Sequence, residues 1–200
     1  MLQKIQSGHY FRTNIMQKNE IQNKIDFILT QTKNQQMTKE EYEYIASFLK
    51  NKNFLIFGTG YDSDLWRECN RQGFCVFLEH DSKWIDETKS DIFQVHYSCS
   101  MSQSDRLLDE YEKKNFTNFN FEYPKWLHNY KWDSILVDGP PGNKKTAIGR
   151  MQSMFLAKKL ASENTNIFIH DVDRKVEQEF SSLFFSKSIK KLTKLEHKKI

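Results

Sequence analysis

Acidic and hydroxyl-bearing residues in this chain fall directly after short apolar runs, the position at which an α/β sheet presents its ligands. Behind N-F-L-I-F stand Gly58, Thr59, Gly60, Tyr61, Asp62 and Ser63, and behind F-C-V-F-L stand Glu79, His80 and Asp81. Behind S-I-L-V come Asp138, Gly139, Pro140, Pro141 and Gly142, and behind N-I-F-I come His170, Asp171, Val172 and Asp173. Gly58 and Gly60 allow a tight turn and a close backbone approach to a nucleotide-like ligand. Glu79 follows Gly58 by 21 positions, where a carboxylate can accept hydrogen bonds from both hydroxyls of a ribose. The third position of the G-x-G-x-x-G pattern is Ser63, and Asp62 puts negative charge where a pyrophosphate would sit. NAD is therefore disfavoured. S-adenosylmethionine fits better, with a ribose for Glu79, a sulfonium that tolerates nearby acids, and an amino-acid tail for the glycine loop. Gly58, Gly60, Asp62, Ser63 and Glu79 are the expected cofactor-binding set.

Methyl transfer is an in-line displacement, so the protein must hold the acceptor's nucleophilic atom about 3 Å from the methyl carbon and help remove its proton. Asp138, His170 and Asp171 stand at the ends of two strands expected to be neighbours. His170 or Asp138 is the expected general base; in a second reading Asp138 and Asp171 ligate a divalent metal ion. His170 also reads as a satisfied structural histidine, and Asp171 and Asp173 as helix N-caps, Asp173 being the better placed. Arg150 could pair with a carboxylate on the acceptor, with Lys144 and Lys145 in the same loop. Trp66 and Trp84 occupy helical positions expected to pack on the sheet. Trp126, in an irregular aromatic segment, is the tryptophan expected to meet a substrate ring.

The elements that must position these residues follow from hydrophobic spacing. A polar helix over Met16–Gln36, with Ile21, Ile25 and Ile28 on one face, is expected to pack loosely on the body. Thr38 and Glu41 form a capping box for a second helix through Tyr42, Ile45, Phe48 and Leu49. The first apolar run is followed by a helix over Asp64–Arg71, stopped by Gly73, and by the second run. Asp81 or Ser82 caps an expected helix through Trp84, Ile85 and Thr88, before a third strand in I-F-Q-V-H-Y. A helix over Ser102–Tyr111 precedes the irregular residues 114–131. Further helices are expected over Gly149–Ala161 and Arg174–Phe185, flanking the N-I-F-I strand. The lysine-rich tail reads as one or two edge strands. Buried runs alternating with helices predict an α/β fold, a doubly wound, mostly parallel sheet with helices on both faces. Residues 1–36 read as an N-terminal helical extension and 37–200 as the domain.

Two hundred residues with 16 phenylalanines suffice for one domain with a real core. A net charge of +4 is too small for a dedicated nucleic-acid binder. Cys69, Cys75 and Cys99 show no C-x-x-C spacing, which argues against a disulfide scaffold and for a reducing compartment. No apolar run approaches the roughly 18 residues of a membrane span, and the first residues lack a signal-peptide core, so a cytoplasmic location is expected.

The blocks N-F-L-I-F-G-T-G-Y-D-S-D-L-W, F-L-E-H-D-S-K-W-I, V-D-G-P-P-G, G-R-M-Q-S-M-F-L-A and H-D-V-D-R-K-V-E-Q-E-F occur in order. With them the chain resembles, from about Gln36 to the C-terminus, the plant glucuronoxylan 4-O-methyltransferase family, which also includes the irregular-xylem xylan proteins and arabinogalactan methyltransferases. The resemblance implies a Rossmann-like class I methyltransferase fold and S-adenosylmethionine-dependent O-methylation. Characterised members act on glucuronic acid side chains of a polysaccharide. In that pattern Gly58–Ser63 and Glu79 hold the cofactor, while Asp138–Gly142 with Arg150 and Met151, and His170–Arg174, border the substrate side. The expected partner is a carbohydrate or small-molecule acceptor. The alternatives are a non-catalytic protein of the same fold assisting polysaccharide biosynthesis, or a methyltransferase for another small molecule or nucleic acid. For the last, D-G-P-P-G lacks the aromatic residue that a base-flipping enzyme stacks on its target.

Overall fold

The computed structural model describes residues 19–30 and 37–200. Seven strands form one sheet in the order β3-β2-β1-β4-β5-β7-β6. β1 (Asn53–Phe57), β2 (Phe74–Glu79), β3 (Ile92–Gln94), β4 (Ser134–Val137) and β5 (Asn166–Ile169) are parallel, and β7 (Glu196–Lys199) runs antiparallel between β5 and β6 (Lys187–Lys191). The continuous apolar runs are buried on both faces, as a parallel sheet requires.

Alternate residues of each strand feed separate cores. Leu55, Phe57, Val76, Ile135, Val137, Ile167 and Ile169 pack against α4 (Ser104–Glu112), α5 (Met151–Leu160) and α6 (Lys175–Phe184). Phe54, Ile56, Phe77, Leu136 and Phe168 face α1 (residues 19–30), α2 (Lys39–Ala46) and α3 (Ser63–Cys69). The doubly wound expectation therefore holds. α1 is bound more firmly than its composition suggests, with Ile25 and Ile28 buried in the second core and Glu20 paired to Arg71 at 2.6 Å. The rest of the expected first helix lies outside the described residues.

Two local expectations change, at the β2–β3 connection and in the tail, while residues 114–131 are irregular as expected. Between β2 and β3 there is only one 3-10 turn, Ser82–Trp84. Ile85 turns extended, and Asp86 takes up the backbone N–H and hydroxyl of Thr88, a local bond that competes with helix continuation. The irregular segment is pinned by buried Gln152 of α5, whose Nε2 lies 2.8–3.1 Å from Ser98 Oγ and the Asn118 and Asn120 carbonyls. Of the tail strands, β6 is the exposed edge, but β7 is interior and buries Glu196, His197 and Lys198. Each finds partners: Glu196 accepts from Ser181 and Ser188, His197 meets Tyr44 and Asn166, and Lys198 pairs with Glu196.

The Thr38 capping box forms as read, and its glutamate does a second task. Glu41 Oε2 accepts from Thr38 N at 2.7 Å, while Oε1 accepts from Lys194 N at 2.6 Å and Leu195 N at 3.0 Å, tying α2 to the β6–β7 turn. Glu41 is fully buried, so removing it strands three donors. Glu41→Ala should lower the unfolding free energy by about 2–4 kcal/mol in urea titrations, with Glu41→Gln intermediate.

Candidate functional site

The loops after β1 and β4 meet backbone to backbone. Gly58 has φ +107°, and a Cβ there would stand 3.2 Å from Gly139 N; a Cβ on Gly139 would stand 2.9 Å from Gly58 Cα. Only glycine at both positions permits this approach. It places the β1 loop, with Asp62, beside the β4 loop, with Asp138, in a cleft at the carboxyl edge of the sheet. Thr59, Gly60, Tyr61, Glu79, His80, Asp81, Pro140 and Pro141 also line it.

The wall carries Asp62, Glu79, Asp81 and Asp138, and among the described residues neither lysine nor arginine lines it. The glycine loop turns its N–H groups inward: Gly58 N donates to Leu78 O, Thr59 N to Glu79 Oε2 and Gly60 N to Ser63 Oγ. Buried Glu79 accepts from Thr59 Oγ1 at 3.0 Å, and from His80 N at 2.7 Å and Asp81 N at 2.8 Å. Burial pushes its carboxyl up, but these bonds and His80 outweigh burial and hold it below the usual range. Glu79 thus ties the β1 and β2 loops together, and its oxygens are engaged within the chain rather than left open for two ribose hydroxyls. Ser63 is likewise buried and closes the loop from within.

Asp62 is half-buried in the cleft. Burial first, and the charge of Asp138 second, push its carboxyl up to about 7. Tyr42 of α2, read from sequence as core alone, brings its phenol to the same place; burial, with Asp62 and Asp138 adding to it, raises that group. Nothing in a single helical period distinguishes such a tyrosine from its core neighbours.

Asp138, His170 and Asp171 come together around Arg150. His170 Nδ1 lies 2.9 Å from Asp138 Oδ1, and Arg150 Nη2 lies 3.1 Å from Asp138 Oδ1 and 2.6 Å from Asp171 Oδ2. Arg150 also donates to the carbonyls of Asp138 and His170. Asp171 adopts φ +62°, a strained conformation for a non-glycine residue, and Arg174 pairs with its side chain at 3.0 Å. Burial opposes charge on Asp138, yet His170 and Arg150 hold its carboxyl below the usual range; burial lowers His170, but Asp138 raises it overall. Ligand atoms of Asp138, His170 and Asp171 lie within 4.8 Å of one another, close enough for a divalent ion. As the side chains stand, the Arg150 guanidinium already supplies the positive charge between the two carboxylates.

Three expectations are corrected, for Arg150, Trp126 and Trp84. Arg150 is buried and committed to Asp138, Asp171 and two carbonyls, so it is not free to receive an acceptor carboxylate. Trp126 lies away from the cleft, against Phe93 and Tyr130. At the mouth are instead Tyr61, 68% exposed, and Trp84, 44% exposed, ring centroids 5.5 Å apart; shortening of the helix expected there frees Trp84 from the sheet. Trp66 packs inside as read.

Sheet order, antiparallel β7 and a cleft at the β1–β4 edge define the Rossmann-like class I methyltransferase fold. The chain belongs to the IRX15/IRX15L/GXM family, whose model matches residues 40–197. Glucuronoxylan 4-O-methyltransferase 3 of Arabidopsis thaliana is 33% identical over 175 residues, covering 76% of this chain and 59% of that protein. Arabinogalactan O-methyltransferase 2 of the same plant is 32% identical over 183 residues, covering 78% and 63%. The chain thus spans about three-fifths of the length of these relatives. Among solved structures, MycE methyltransferase from the mycinamycin biosynthetic pathway, in complex with Mg and SAH, aligns at 10% identity and TM-score 0.48, over 90% of this chain and 48% of that one. Among the described residues, no helix is long and apolar enough to cross a membrane.

A carboxyl that folding raises from 3.8 to about 7 costs stability as pH rises through that window. Asp62→Asn, a mimic of the protonated form, should therefore raise the melting temperature clearly at pH 8 and little at pH 4; an equal gain at both would show that its charge carries no strain.

Proposed function

We propose that this chain is an S-adenosylmethionine-dependent O-methyltransferase whose acceptor is a sugar hydroxyl of a uronic-acid-containing glycan. The observation that carries the reading is the acidic cleft at the Gly58–Gly139 contact, without a lysine or arginine on its wall among the described residues and with the Gly58, Thr59 and Gly60 N–H groups turned inward. Such a wall repels a pyrophosphate and suits a ligand with ammonium and sulfonium charges. When bound, that cofactor supplies a methyl group on a sulfonium, open to in-line displacement by oxygen. The relatives, a glucuronoxylan and an arabinogalactan methyltransferase, support a glycan acceptor.

Asp62, ionised above about pH 7 and without a lysine or arginine beside it on the cleft wall among the described residues, would face the ligand's positive charge. Thr59 and Glu79 keep the glycine loop in shape behind it. Asp138, on the wall, accepts the hydrogen bond of the acceptor hydroxyl and takes its proton as the new C–O bond forms. The oxygen becomes strongly acidic at that moment, so a carboxylate of low basicity suffices. His170, 1% exposed, stands behind Asp138 rather than on the wall and keeps it ionised and oriented; Arg150 does the same from the other side.

Thermal-shift titration should show stabilisation by S-adenosylmethionine and none by NAD. Incubation with isotopically labelled cofactor and a panel of uronic-acid saccharides should add one methyl group to an acceptor. Cofactor binding without transfer to any acceptor would instead favour a non-catalytic role. Asp62→Asn should weaken cofactor binding about 10- to 100-fold at pH 8 and much less at pH 6, where wild-type Asp62 is itself largely protonated. Asp138→Asn should spare binding and lower kcat by roughly 10²–10⁴.

A further inference from the structure

Six buried side-chain nitrogen and oxygen atoms find no hydrogen-bond partner among the described residues, and five of them lie in one cluster: Arg150 Nε, His170 Nε2, Arg174 Nη1 and both carboxylate oxygens of Glu177. Glu177 sits in the first turn of α6 and is fully buried. A buried carboxylate without hydrogen bonds is costly, and it calls for a physical reason. Two contacts supply one.

The first is a chain of alternating charges. Glu177 Oε1 lies 3.7 Å from Arg174 Nη1, Arg174 Nη2 lies 3.0 Å from Asp171 Oδ2, and Asp171 Oδ2 lies 2.6 Å from Arg150 Nη2. Arg150 Nη2 lies 3.1 Å from Asp138 Oδ1, which lies 2.9 Å from His170 Nδ1. Three acids and three bases alternate, with Glu177 at one end and the Asp138–His170 pair at the other. The second contact is steric: a Cβ on Gly142 would stand 2.2 Å from Glu177 Oε1, so this carboxylate fills the space beside the loop whose Pro140 and Pro141 form the cleft wall.

We infer that Glu177 is a positioning residue: from α6 it seats the Pro140–Pro141–Gly142 wall and, through Arg174, Asp171 and Arg150, holds Asp138 and His170 in the geometry that methyl transfer needs. The inference rests on the methyltransferase reading for its catalytic consequence, but the contact chain itself has a readout without turnover. Glu177 touches no reacting atom in this scheme.

The test compares E177A, E177Q, G142A and the double variant G142A/E177A. E177A and G142A should each lower kcat roughly 10- to 100-fold, as expected of small displacements of a reacting group, with the KM for S-adenosylmethionine within about twofold of wild type. The double variant should be no worse than E177A alone, because both changes act through one contact. E177Q, which keeps the volume and one acceptor oxygen, should recover most of the rate. NMR of ¹⁵N-histidine should show the His170 ring signals shifted or broadened in E177A and restored in E177Q. A fall in melting temperature with kcat unchanged, or additive losses in the double variant, would overturn the inference. If wild type methylates no acceptor, the methyltransferase reading fails by that result, and the His170 signals alone decide: unmoved in E177A, they overturn the positioning role.

Discussion

Everything at the carboxyl edge of this sheet depends on two backbones touching at Gly58 and Gly139. A methyl group on either would be pressed against the opposing main chain, at 3.2 Å in one case and 2.9 Å in the other. Because β1 and β4 are hydrogen-bonded neighbours, their following loops leave the sheet side by side, and without side chains at the contact they can stay together beyond it. That proximity puts Asp62 and Asp138 on one cleft wall. Their mutual repulsion, with burial, is what separates their proton affinities, one driven up and the other held down by His170 and Arg150.

The fold around this contact spends buried polar groups freely. Glu41 anchors the tail to α2, Gln152 anchors the irregular segment to α5, and Glu79 binds two loops into one unit. Each replaces packing of apolar surface with a few oriented hydrogen bonds, which specify one geometry where greasy contact would allow several. The cost is accepted where loops must be held without regular secondary structure. At Asp138, His170, Asp171 and Arg150 the same device is concentrated further, and the left-handed Asp171 is the strain that comes with it.

Much of the architecture was legible from one dimension. Four apolar runs, one alternating segment, the Thr38 capping box and the glycine stops name β1 to β5, α2 and α3, because strand periodicity and helix capping are local in sequence. The acids Asp62, Glu79 and Asp138 were identified on the same ground, as residues immediately after such runs. The misreadings have local causes too. An Asx turn at Asp86 undercuts a helix whose apolar spacing looked adequate. β7, written E-H-K-K, carries no apolar alternation, so nothing marked it as interior; its burial is made tolerable by Ser181, Ser188, Tyr44 and Asn166, which lie in other elements.

By itself, then, the sequence determined which residues reach the functional edge and what charge they bring there, since strand ends and the chemistry of side chains are properties of short segments. Only the tertiary structure decided who pairs with whom: that Arg150 is spent on Asp138 and Asp171, that Glu79 is engaged by its own loops, that Tyr42 and Trp84 face the cleft and Trp126 does not, and that Glu177 backs Gly142. The reason is that proton affinity, pairing and access follow from distance and burial in space. Partners such as Glu41 and Lys194 meet across 153 positions of chain, and no local pattern encodes that encounter.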